Sequence, residues 1–110
     1  MASKIRVMIK HPGEVPKIEA ITADFATYQQ ICGGYVEDFR LSDDVILLCD
    51  EEGRLKQKPY CFNWGRVKFF GDVIFVGYET VNGEQIICDF PYDSPMEFYQ
   101  DMLVRGFVPA

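Results

Sequence analysis

At 110 residues the chain is long enough for one domain, and its 48% hydrophobic and 25% charged residues are globular proportions that exclude disordered, collagen-like and low-complexity classes. Eleven basic against seventeen acidic residues leave a net charge of −6, which argues against a general duplex-DNA binder, whose affinity comes from lysine and arginine on phosphates.

Residues 4–10 predict a strand, and His11-Pro12-Gly13 closes it with turn chemistry. The period-two segment 17–21 follows and should pair back as a hairpin. Thr22 or Asp24 can cap a helix to about Cys32, with Phe25, Tyr28, Ile31 and Cys32 recurring on one face and Gly33-Gly34 as the stop. Residues 35–41 alternate apolar and polar, which predicts a strand with one wet face. Ser42-Asp43-Asp44 then turns the chain into 45–49, an unbroken apolar run expected as the central strand. Asp50-Glu51-Glu52-Gly53 is a turn by composition. Periodicity fails from Arg54 to Lys68, so that stretch is expected to be a long ordered loop.

Residues 72–79 and 84–90 predict strands joined around Asn82-Gly83, the strongest short hairpin signal. Ser94-Pro95-Met96-Glu97 combines an N-cap, a proline at the first helical position and a capping-box glutamate. The helix should run to about Arg105, end at Gly106 and turn Phe98, Met102, Tyr99 and Leu103 to the core. These elements predict a single α+β domain over residues 1–110, with a mostly antiparallel sheet of about six strands and two short helices.

The first apolar segment is too short and too charged for a signal peptide, and no apolar run approaches the ~20 residues of a membrane span. The expected location is the cytoplasm, with no membrane partner. Four cysteines at 32, 49, 61 and 88 form no C-x-x-C pair, so they are expected to be reduced core residues rather than zinc ligands. No metal and no cofactor is expected.

Several segments carry a resemblance: Gly33-Gly34-Tyr35-Val36-Glu37, residues 41–47, the turn Cys49-Asp50-Glu51-Glu52-Gly53-Arg54-Leu55, and Gly71-Asp72-Val73-Ile74. Together they resemble the DUF3846 family of uncharacterised phage and mobile-element proteins over about 4–80. The resemblance implies a phage or mobile-element setting and no particular chemistry. Members tend to carry proline-asparagine-arginine after the acidic turn. Here Pro59 and Asn63 are separated and Trp64 stands where the arginine is expected, so no role of that arginine carries over.

Catalytic patterns are sparse: the one histidine, His11, lies in a turn, and neither a nucleophile elbow nor a phosphate loop is present, so the protein is expected not to be an enzyme. Charge comes in blocks of +2 (1–20), −7 (21–52), +5 (53–68) and −6 (69–110), which build one-signed patches unless the sheet interleaves them. One reading is an accessory protein that binds a host or phage protein, as an acidic nucleic-acid mimic inhibiting a defence factor. Glu37, Asp38, Asp43, Asp44, Asp50, Glu51 and Glu52 would form its surface. The alternative is a small nucleotide or oligonucleotide binder, in which Arg54, Lys56, Lys58, Arg66 and Lys68 hold phosphate while Tyr60 and Trp64 stack on bases.

Overall fold

The computed structural model describes residues 3–107. The chain order is β1 (Lys4–Lys10), β2 (Lys17–Thr22), α1 (Phe25–Cys32), β3 (Val36–Arg40), β4 (Val45–Asp50), β5 (Tyr60–Trp64), β6 (Val67–Phe70), β7 (Val73–Val81), β8 (Glu84–Cys88) and α2 (Pro95–Arg105). The main sheet is six-stranded and antiparallel at every pairing, in the order β2-β1-β7-β4-β3, with β8 also on β7. The domain is α+β, as the periodicities predict.

Strand β7, rather than β4, holds the middle. Its nine residues are long enough to take two partners along one edge, β1 beside Val73–Phe75 and β8 beside Gly77–Val81, while β4 lies along the other. Where β8 leaves β7, Asp89 and Phe90 turn to β1: the Arg6 N–H donates to the Asp89 carboxylate at 2.8 Å and the Phe90 N–H to the Arg6 carbonyl at 2.8 Å. The predicted 84–90 strand is therefore two residues shorter than its apolar pattern suggests.

Both faces of the sheet are covered, which is why β4 is buried along its whole length. On one face Val7, Ile9, Ile46, Leu48, Ile74 and Val76 pack with Tyr28 and Cys32 of α1. Phe25 of the same helix stays exposed at its first turn. On the other face Met8, Val45, Leu47, Val73 and Phe75 pack under α2 and the β5–β6 hairpin. Phe98 and Met102 of α2 are fully buried there, Tyr99 is half-buried and Leu103 is on the solvent side. Ser94 caps α2 by accepting the Glu97 N–H at 3.2 Å, and the Glu97 carboxylate accepts from Asp93 N–H, one residue before the capping-box position.

The stretch read as a loop is a turn followed by a second two-stranded sheet, β5 with β6. A register shift between Tyr60 and Phe62 explains why no pattern is visible. The bulge sends neighbouring Cys61 and Phe62 both inward, and that destroys the alternation on which strand detection rests.

The β7–β8 turn forms as expected: Val81 pairs with Glu84, and Asn82 and Gly83 both take positive φ, 52° and 82°. Gly83→Val is expected to cost on the order of 1–3 kcal/mol, because a β-branched residue strongly disfavours that conformation. Urea denaturation of the variant measures it, and unchanged stability would mean that the turn does not hold this geometry in solution.

Candidate functional site

At one end of the sheet the C-terminus of α1, the turn after β4 and the β6–β7 connection meet around Asp50. Its side chain is 1% exposed and is clasped by Lys58 Nζ at 2.6 Å and Lys56 Nζ at 2.9 Å, while its second oxygen accepts the Glu52 N–H at 2.9 Å. Burial alone would raise this carboxyl, but the two ammonium groups and the Glu52 N–H hold it at about 2. Lys58 Nζ also donates to the Cys32 carbonyl at 2.8 Å, placing a cation where the last turn of α1 leaves orphan carbonyls. Gly34 leaves room for the cluster, since a Cβ there would stand 2.7 Å from the Asp50 carboxylate. Gly33 and Gly71 make room for Lys58, where a Cβ would stand 2.8 Å from its Nζ and 2.7 Å from its Cδ, respectively, so the glycine pair, the acidic turn and Gly71, far apart in sequence, are parts of one ionic clasp that fastens α1 to the sheet.

Next to the clasp, a cleft of about 540 Å³ is lined by residues including His11, Gln30, Cys32, Lys58 and Asp72. His11 Nδ1 lies 2.7 Å from the Asp72 carboxylate, a pairing that the turn context of His11 gives no hint of. Burial pushes the Cys32 thiol up to about 12, so the cleft offers an imidazole–carboxylate pair and no activated thiol. Burial likewise pushes up Cys49, to about 12, and Cys61, to about 11, and no disulfide links the four cysteines. The described residues hold no cluster of three or more His, Cys, Asp or Glu side chains arranged for a metal.

The acidic residues singled out from the sequence do not form one surface. Asp50 is a correction: it is buried and neutralised by lysines rather than displayed. Glu51 and Glu52 are exposed beside it. Asp43 and Asp44 lie at the opposite end of β4, about 20 Å from Asp50 at ~3.4 Å per residue. Glu37 and Asp38, adjacent on β3, point to opposite faces.

Asp43 and Asp44 instead join carboxylates from the last charge block. Arg105 stands among three of them, 3.9 Å from Asp43, 3.5 Å from Asp44 and 3.4 Å from Asp101. Tyr92 donates its hydroxyl to Asp101. Asp93 lies 3.8 Å from Arg6, and the Cys88 thiol is pushed up by burial and then by the surrounding charges of Glu79, Asp89 and Asp44. Five carboxylates, Asp43, Asp44, Glu79, Asp89 and Asp101, therefore gather around Cys88, Tyr92 and Arg105, and a sixth, Asp93, stands on Arg6, whose N–H bonds Asp89; together they come from the β3–β4 turn, β7, the β8–α2 connection and α2. Two sequence signals point to this end: the −6 block itself and the i,i+4 spacing of Asp101 and Arg105.

The basic and aromatic residues at 54–68 are also dispersed. Lys56 and Lys58 turn inward to Asp50. Arg54 lies over the Phe70 ring at 5.5 Å, and Tyr60 meets the same ring edge-on at 6.2 Å. Trp64 is stacked on Phe98 at 5.9 Å and half-buried, so its face already has a partner. Arg66 and Lys68 remain exposed on the β5–β6 hairpin. Arg54 and Lys68 also border a cavity of about 240 Å³ between β3 and β6, opposed there by Glu37 and Glu51.

In comparison with known proteins, residues 5–103 match the family described as Domain of unknown function (DUF3846). No curated protein and no solved structure matches the chain.

Proposed function

The chain belongs to the DUF3846 family, and we propose that it is a non-catalytic accessory protein that binds a basic host or phage protein through its acidic end, in the cytoplasm of a cell carrying the phage or mobile element. The observation that supports this reading is the gathering of Asp43, Asp44, Glu79, Asp89, Asp93 and Asp101 from four parts of the chain. Such a field attracts lysine- and arginine-rich surfaces, including those that normally receive nucleic-acid phosphates, and a groove of that kind on a defence factor is the target class we favour. Among the described residues no helix is long and apolar enough to cross a membrane, in keeping with an encounter in solution. The nucleotide reading has less support, because two of its five cations are held by Asp50 and its tryptophan is packed against Phe98.

Charge reversal tests the proposal. Asp43 and Asp93 are 79% and 83% exposed, so Asp43→Lys and Asp93→Lys should leave the fold intact. Each is expected to weaken a complex isolated from host lysate about tenfold at low salt, mainly through a slower on-rate, with the difference shrinking as salt rises. Glu51→Lys, at the far end, should change little. The proposal falls if the complex is indifferent to Asp43 and Asp93, and a Trp64 fluorescence response to added nucleotides or short single strands would favour the alternative.

A further inference from the structure

Strand β3 ends the sheet and has β4 as its one strand neighbour among the described residues, so half of its backbone polar groups face outward. The ladder phase says which half. The Leu41 N–H donates to Val45 O and the Glu51 N–H to Tyr35 O, so odd-numbered residues of this strand bond inward. Val36, Asp38 and Arg40 therefore present their N–H and C=O groups at the edge. Charged side chains on such an edge ordinarily deter pairing.

Here they also fit a copy of themselves. A two-fold axis perpendicular to the sheet keeps each face on its own side, so the partner of residue i must share its parity. Centring the axis on Phe39 sets Asp38 opposite Arg40 of the second copy and Arg40 opposite its Asp38. Both residues face the α1 side, and four edge N–H···O bonds form between the same pair of positions. Phe39 meets its symmetry mate at a non-hydrogen-bonded site, where side chains approach most closely. It lies on the opposite face, packed edge-on against Phe69 at 5.3 Å and lining the cavity between β3 and β6. Moving the axis to Glu37, Asp38 or Arg40 would oppose that charged residue to itself, and moving it to Val36 would set the rest of the strand against residues 32–35, outside β3, so charge and strand length together select the Phe39 register. Strands β2 and β8 likewise have one strand neighbour each among the described residues, β1 and β7, so it is the charge pattern of β3 that singles it out. Arg40 now leans toward Asp43 at 3.8 Å, donates from Nε to the Ser42 carbonyl at 3.4 Å and lies 5.5 Å over the Tyr78 ring, with its side chain 67% exposed, so pairing across the axis exchanges these contacts for the partner's Asp38.

We propose that β3 is a self-association edge, and that two copies of this chain join through antiparallel β3–β3 pairing centred on Phe39, with reciprocal Asp38–Arg40 ion pairs. Sedimentation analysis of the full chain should show a concentration-dependent dimer, and hydrogen exchange should show the Asp38 and Arg40 amides gaining protection as dimer accumulates. Asp38→Arg and Arg40→Asp should each oppose like charges twice and weaken dimerisation by more than about tenfold. Mixing the two variants should restore a one-to-one heterodimer, because every cross-axis pair is again arginine with aspartate. Circular dichroism confirms that each variant folds, and if one does not, the wild-type exchange measurement decides alone. A wild-type chain that stays monomeric at millimolar concentration, edge amides that exchange freely in a dimer, or variants that fail to complement each other would overturn the proposal. Protection of the edge by an extended peptide of another protein, with the chain itself monomeric, would do so as well.

Discussion

Replacing Phe98 by alanine is expected to remove about 3–5 kcal/mol of stability, the range for truncating a buried phenylalanine that cannot be filled by collapse of its neighbours. The ring is fully buried and lies within 5.9 Å, centroid to centroid, of Trp64, Phe75, Phe90, Tyr92 and Tyr99, so its loss removes the shared partner of five rings from four parts of the chain. Urea denaturation followed by Trp64 fluorescence reads the stability and the release of the indole in one experiment. A loss below about 1 kcal/mol would mean that α2 is not docked on this face.

Asp50→Asn should be nearly as damaging at neutral pH, on the order of 2–4 kcal/mol. Removing the charge leaves Lys58 largely buried without a counter-ion, while the exposure of Lys56 softens the penalty. The pH dependence identifies the cause. Asp50 is held at about 2 in the folded chain against 3.8 for a free carboxyl, so its contribution is present above about pH 4 and is lost as pH falls through about 2. Wild type and variant should therefore converge in stability toward pH 2 and separate above pH 4. A difference that is constant with pH would point to altered packing rather than to the charge.

The elements marked by local chemistry were legible. Ser94, Asp24 and Asn82-Gly83 act on backbone within three residues of themselves, and caps and turn appear where those residues predict them. The β5–β6 hairpin was hidden because its bulge removes the period-two signal. Asp50 was misread for a related reason. At the end of the apolar run in β4 it looks like the first residue of a wet turn, and only the fold shows Lys56 and Lys58 curling back over it. The acidic end draws on residues between 43 and 101, and no local pattern joins them. The pairing of His11 with Asp72, 61 positions apart, is equally a product of topology.

The two-sided lodging of β7 also sets an order of events during synthesis. While the ribosome is still making the chain, β1–β2 and β3–β4 can close as separate local hairpins. The slot between β1 and β4 stays empty until residues 73–81 emerge. Until then Val7, Ile9, Ile46 and Leu48 have no sheet to share and the facing edges of both hairpins are unpaired, the state in which strands seek wrong partners. The nascent protein thus passes through a window in which two-thirds of it exists without a centre, and a nonsense mutation before residue 73 would leave a sticky fragment rather than a smaller working domain.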